Sequence, residues 1–402
     1  MLSVGYLLFF AATIRVLFFL KTGISYGADS TFYLGAAEQI ANGSLELFKT
    51  NPFYQFYPLL LSPLFLFNID RALYIPFLHT VLSTLTVLLL YLSASRIMGK
   101  AHGIFVGLIA SVYPLFFFYL PYVLSETPFL FSLSLLIFVF TFYLEKPSAK
   151  RLLGVALSCF LLLGSRPASV AILIPIISVV IWQKVRSYPL IFMGWLFVLG
   201  IALILLFQSP SLKEKVLRNP TVSGQLTLSV RHYSNNFEAY FRAIRDMDEF
   251  TLTQVPKGAS LPERLELHSL GALKWIRENP GRYLGACLTR FFCFWFPGVL
   301  QGSWSWRHVL FDTFLALFLL GGAIGFLRAF PFKIQAWALV LMALSLALMS
   351  AFLTMDTDGR YRLPAELMLL ILAPYPLYRF LLKKAQNPKL SRFLPLKIRD
   401  VN

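Results

Sequence analysis

The stretch PFLFSLSLLIFVFTFYL, Pro128 to Leu144, carries no charge. It falls in the window of about 17 to 25 residues that a helix needs to cross the hydrocarbon core of a bilayer. Its apolar residues fill every face of a helix rather than one stripe, so a soluble amphipathic reading does not fit it. Ser125-Glu126-Thr127 precedes the stretch and Glu145-Lys146 follows it. The same pattern repeats along the chain, as apolar blocks separated by short polar turns.

Composition agrees. The 402 residues are 57% hydrophobic and 14% charged, and mean hydropathy is +0.69. A soluble domain carries about 25% charged residues. The fold expected is an all-α polytopic membrane protein. The aromatic richness suits lipid-facing surfaces and interfacial belts. A net charge of +17 serves topology first in such a chain, and nucleic acid is not expected as a partner. Cys159, Cys287 and Cys293 form no CxxC spacing, and His79, His102, His232, His268 and His308 are scattered without ligand spacing. The first block has no basic n-region and no small-residue cleavage site, so it reads as a retained span.

About ten spans are expected by length and hydropathy: Leu2–Leu20, Pro76–Ser95, Gly103–Leu120, Pro128–Leu144, Leu152–Gly164, Ala168–Gln183, Pro189–Gln208, Val309–Leu327, Ile334–Leu353 and Leu363–Phe380. With both termini cytoplasmic, every short inner turn is basic, from Arg96 and Lys100 to Arg328 and Lys333, as is the tail 381–402. This layout leaves only Glu145 and Asp400 as inner acids, an asymmetry that the positive-inside rule does not explain, because acids hardly influence insertion. Arg15 and Arg166, at membrane level, read as snorkelling side chains.

The chain reads as one membrane-embedded domain, 1–402, with two large outer segments. In the first, 21–75, Asp29–Asn42 places Phe32, Ala36, Ala37 and Ile40 near helical spacing and predicts an interfacial helix. Tyr57-Pro58-Leu59-Leu60-Leu61-Ser62-Pro63-Leu64 then predicts a re-entrant or interfacial helix too short to cross. In the second, 209–308, the aromatic stretch Tyr283–Phe296 reads as a further interfacial helix, because an extra span there would move the basic tail outside. Asp29 is either an N-cap or an acid at the membrane surface able to accept a proton. Glu126 sits in a short outer turn, where a carboxylate needs a partner or a polar cavity. Arg360 and Arg362 depart from the positive-inside pattern, and either hold a phosphate or pair with Asp356 and Asp358.

In order, these pieces resemble the GT-C superfamily of membrane glycosyltransferases, in particular the family-39 group of protein O-mannosyltransferases and the lipid A aminoarabinose transferase. The resemblance is carried by Asp29, Tyr33 and Ala36–Ala37, by Tyr57–Phe65, Ser125–Thr127 and Arg166–Pro167, and by Arg218-Asn219, Gly224 and Ser229. Ile276–Leu284 and Arg360–Pro364 complete it. Two departures stand out. Ser30 follows Asp29 where the protein mannosyltransferases have Glu, and Lys49-Thr50-Asn51-Pro52 stands where the lipid A type has Lys-Pro-Pro.

The resemblance implies sugar transfer from a polyprenyl-phosphate donor to an acceptor hydroxyl on a lipid, glycan or protein, with inversion, at the outer face of the plasma (inner) membrane. It makes Asp29 the general base and Glu126 its catalytic companion, with Arg360, Arg362 and Arg218 on the donor phosphate. Tyr33, Tyr57, Asn219 and Tyr361 become substrate contacts. If a divalent cation is used, Asp29 and Glu126 would hold it, and no other cofactor is expected. A eukaryotic lumen stays open, because Asn42-Gly43-Ser44 is a glycosylation sequon. The alternatives are a transporter or lipid flippase, and a polymerase or ligase using a polyprenyl-linked oligosaccharide. The unlike loops after the first and seventh spans argue against the paired halves of a transporter.

Overall fold

The computed structural model describes residues 4–27, 29–44, 54–184, 260–296, 306–353 and 362–385. All named elements among them are helices, so the chain is an all-α polytopic membrane protein. Six segments among the described residues are long and apolar enough to span a bilayer: Val4–Thr22, Arg71–Met98, Glu126–Glu145, Val309–Ala329, Ile334–Phe352 and Arg362–Lys383. Pro189–Gln208 lies outside the described residues, as does most of the basic tail.

The chain divides into two compact units. The first comprises residues 1–173, 317–343 and 363–402. It begins with α1 (Val4–Thr22), α2 (Ser30–Ala41), α3 (Phe56–Leu66) and α4 (Arg71–Met98). α1 stops at Gly23, whose φ of +67° is open to glycine at little strain. Asp70 caps α4 by accepting from the Ala72 N–H at 2.8 Å. α2 and α3 pack together through Tyr33, Ala37, Tyr57, Leu61 and Leu64, joined by Ile75, Val123 and Leu124. Phe32, on the apolar face expected of this interfacial helix, is exposed, and Tyr33 joins Ala37 in the packing against α3.

The expected span Gly103–Leu120 is broken into α5 (Lys100–Ser111) and α6 (Pro114–Phe118). Pro114 lacks an N–H, and its ring excludes the helical carbonyl four residues back. Tyr113 before it is accordingly extended, at φ −66° and ψ 119°. Next come α7 (Glu126–Glu145), α8 (Ala149–Leu163) and α9 (Ser169–Lys184), the last of which runs on beyond this unit. α7 is the most enclosed of the six spans, with 72% of its spanning window buried against 22% for α1. At its far end Glu145, one of the two expected inner acids, meets Arg96 at 2.6 Å.

The last expected span is likewise interrupted. α14 (Arg362–Leu370) and α15 (Tyr375–Ala385) are separated by Ile371–Pro374. His102 Nε2–H donates to the Ile371 carbonyl at 2.9 Å. The break presses on Gly322 of α12 (Trp306–Ala329), where a Cβ would lie 2.1 Å from the Ala373 carbonyl oxygen.

Arg15 does not snorkel. It is buried, its Nε donating to Ser83 Oγ at 2.6 Å and its Nη1 to the Ala11 carbonyl at 2.9 Å. Nη1 also reaches the Ser111 carbonyl at 3.4 Å, at the C-terminal end of α5. With no long stem path to water, the guanidinium is solvated by the protein itself.

The second unit comprises residues 174–316 and 344–362. It holds α10 (Leu261–Glu278) and α11 (Pro280–Trp295). At the start of α10, Glu263 reaches back and accepts from both the N–H and the hydroxyl of Ser260, each at 2.8 Å. α11 covers the aromatic stretch after Tyr283. Its 16 residues span about 24 Å, short of a bilayer core. Tyr283 donates to the carbonyl of Phe352, at the end of α13 (Ile334–Leu353), at 2.8 Å.

Candidate functional site

Two loops meet where α1 leads into α2 and α6 leads into α7. The Ser25 N–H donates to the Pro121 carbonyl at 2.8 Å, and the Val123 N–H donates back to the Ser25 carbonyl at 3.0 Å. Ser30 adds a third tie. Its hydroxyl donates to the Val123 carbonyl at 2.9 Å and accepts from the Gly27 N–H at 2.8 Å. Ser30, where the resembled mannosyltransferases carry Glu, thus closes the loop that presents Asp29 onto the loop that leads into Glu126. Asp29 is exposed at the start of α2. Its side chain makes no capping hydrogen bond, so the N-cap role that its position invites is not the one it adopts.

Glu126 is buried in the first turn of α7, where the helix dipole favours a carboxylate. Its Oε1 receives Nη1–H of Arg166 at 2.9 Å. Arg166 is itself buried, at 7% exposure, beside the ring of Phe129. The snorkelling expected of Arg166 is therefore replaced by an ion pair, because its guanidinium meets Glu126 inside the protein before it meets water.

Around the pair stand two tyrosines. Tyr33 donates to Ser125 Oγ at 2.9 Å, and its ring lies edge-on to that of Tyr57, centroids 5.2 Å apart. The Tyr57 hydroxyl is 2.9 Å from His79 Nε2, and His79 Nδ1 is 2.8 Å from the Leu120 carbonyl. A carbonyl only accepts, so Nδ1 carries the proton. In the neutral ring Nε2 then accepts from Tyr57. Burial pushes the Tyr33 phenol well above the ordinary range, an effect that the Arg166 charge and the Ser125 hydrogen bond reduce and that Glu126 reinforces. Tyr57 is raised by burial first, then by Tyr33 and Glu126. Both are therefore neutral phenols at physiological pH, with hydroxyls engaged inside the protein.

Among the described residues no three His, Cys, Asp or Glu side chains gather as metal ligands. Of the two acids expected to hold a divalent cation, Glu126 has its Oε1 taken by the Arg166 guanidinium, whose charge disfavours a second cation beside it. Arg362 lies in the second unit, buried, its Nη2 3.1 Å from Oδ1 of the buried Asp312. Asp356 and Asp358, the acids expected to pair with it, lie outside the described residues. Arg360, Tyr361, Arg218 and Asn219 lie outside the described residues. Sequence reading missed the joining of Arg166 to Glu126 and the parts played by Ser30, Ser125 and His79. The available signal was the presence of two opposite charges, Glu126 and Arg166, both at membrane level on one side.

A bundle of apolar helices with a buried polar cluster beneath two zipped loops defines the class: a polytopic membrane protein. Residues 52–212 match the sequence profile of the dolichyl-phosphate-mannose-protein mannosyltransferase family. That segment includes Tyr57, Glu126 and Arg166 and begins after Asp29. In fold, the chain is similar to the archaeal oligosaccharyltransferase AglB from Archaeoglobus fulgidus, solved in complex with an inhibitory peptide and a dolichol-phosphate. The TM-score is 0.53 at 12% identity, over 98% of this chain and 52% of that one. A second structure of the Archaeoglobus fulgidus oligosaccharyltransferase, with Zn and sulfate, gives a TM-score of 0.49 at 15% identity, over 97% and 52%. The chain spans about half the length of these structures. A comparison with curated proteins finds no match. The resemblance to GT-C glycosyltransferases therefore stands on a family profile over part of the chain and on the fold over nearly all of it.

Proposed function

We propose that the chain is a membrane glycosyltransferase that moves a sugar from a polyprenyl-phosphate-linked donor to an acceptor hydroxyl at the outer face of the plasma membrane. Asp29 accepts the acceptor proton, the acceptor oxygen attacks the anomeric carbon, and the bond to phosphate breaks on the opposite face. The lipid phosphate leaves with the electron pair, and the sugar is inverted. Arg360, Arg362 and Arg218 receive the leaving phosphate, Arg362 being oriented by Asp312. Asn219 and Tyr361 contact the sugar or acceptor.

One observation carries this reading. Of the two candidate carboxylates, Asp29 is exposed, while Glu126 is enclosed and neutralised by Arg166. The exposed one can meet a hydroxyl. Glu126 serves as a positioning group that, with Arg166, holds the loop under Asp29, and Tyr33 and Tyr57 wall the site from behind.

The test is Asp29→Asn in the reconstituted protein, offered a panel of polyprenyl-phosphate sugars. General-base catalysis is worth about 10²- to 10⁴-fold, so transfer should fall by that much with donor binding kept. Transfer within a few-fold of wild type would remove Asp29 as the base. Consumption of none of the donors would remove the donor class.

A further inference from the structure

Lys21 lies in the last turn of α1, on the side of the Asp29 loop. Below it a shallow groove of about 420 Å³ runs between α1 and the break after α5, lined by Ile14, Leu17, Phe18, Val112 and Phe117, with Lys21 as its one charged member. The groove follows from the break. α5 stops at Ser111 and Pro114 redirects the chain, so the bundle beside α1 is not completed there. Val112 is left 51% exposed, and Phe117 lies edge-on to Phe18 at 5.3 Å.

Two positive charges flank this groove without acidic partners among the described residues. Lys21 is exposed at its rim. Arg15 is buried behind Phe117, its guanidinium 5.3 Å from the ring centroid. The hydrogen-bond acceptors of Arg15 are a serine hydroxyl and two carbonyls, and its Nη2 has no partner. A cation solvated only by dipoles keeps its full charge, and behind an aromatic wall salt screens it little.

We propose that this groove is a binding site for one anionic phospholipid. An acyl chain lies along Leu17, Phe18, Val112 and Phe117, and the phosphate sits at Lys21. Ile14 to Lys21 covers about 10 Å of helix axis, the upper part of one leaflet, so charge and apolar lining are stacked as headgroup and chain are. A zwitterionic lipid offers the same chain but no net charge to answer Lys21 and Arg15. The proposal does not depend on sugar transfer, and its test needs no activity.

The full chain is purified in detergent with an equimolar mixture of phosphatidylglycerol and phosphatidylcholine of matched chains, and bound lipid is counted by native mass spectrometry. Wild type should retain phosphatidylglycerol preferentially. Lys21→Gln should reduce that retention about fivefold, the worth of one basic residue at a lipid surface, while Lys21→Arg keeps it. Leu17→Trp, at an exposed position, fills the groove and should abolish the preference. Equal retention of both lipids by wild type overturns the site, as does unchanged phosphatidylglycerol in Lys21→Gln or Leu17→Trp. Displacement of phosphatidylglycerol by equimolar polyprenyl phosphate overturns it too, by making the groove the carrier's.

Discussion

Glu126 and Arg166, 40 residues apart in the chain, form a buried ion pair with Nη1 and Oε1 separated by 2.9 Å. Removing one partner strands the other charge in a dry interior, which costs about 3–5 kcal/mol. Arg166→Met and Glu126→Gln should therefore each lower the unfolding temperature in detergent strongly. The double variant should recover much of the loss. A double variant as unstable as the sum of the singles would show that the two residues act independently.

Ser30→Ala removes one tie between the loops and leaves the Gly27 N–H without its acceptor. Stability should fall by about 1–3 kcal/mol. If sugar transfer is measured in the same preparation, its loss should exceed the fraction unfolded, because the loop presenting Asp29 is released. Activity that merely tracks folded protein would restrict Ser30 to a stabilising role.

The raised phenols of Tyr33 and Tyr57 give a signed pH effect. Their ordinary value is 10.0, and the folded state holds them protonated above it. The unfolded chain loses these protons first, so stability is full below about pH 10 and falls as pH rises beyond it. Unfolding followed from pH 9 upward should decline less steeply in Tyr33→Phe than in wild type. Parallel curves would mean that the phenol gains nothing from its enclosure.

Gly322→Ala should fail where most glycine-to-alanine changes in a helix help. The added methyl would lie 2.1 Å from a backbone oxygen in the break between α14 and α15, and backbone cannot rotate away as a side chain does. Overpacking of this kind costs about 1–3 kcal/mol or more. The expected readout is loss of folded protein in size-exclusion chromatography. Gly321→Ala, with nothing within 4 Å of its Cβ, serves as the control.

Much of the architecture was legible. The six described spans lie where apolar blocks of bilayer length predict them, and the short helix at Tyr57–Leu64 and the helix after Asp29 follow from proline punctuation and apolar spacing. Two expected spans are interrupted, and those at Leu152–Gly164 and Ala168–Gln183 are not among the six long apolar helices of the described residues. Pro114 and Pro374 stood in plain view, but a hydropathy window averages over a proline, and only the backbone shows whether a neighbour, as His102 does for Ile371, supplies the lost hydrogen bond.

The candidate site was legible as a set of loops and not as a set of contacts. Sequence alone determined the all-α membrane class, the order of the loops, and the facts that Asp29 and Glu126 are acids beside spans and that Arg15 and Arg166 are cations within reach of lipid. Tertiary structure decided that Arg166 belongs to Glu126, that Arg15 turns inward to Ser83, and that Tyr57 answers to His79. The physical reason is rotational. A membrane helix is apolar on every face, so its sequence carries no stripe to fix which side turns inward, and pairings 22 to 68 residues apart are set only when the helices pack.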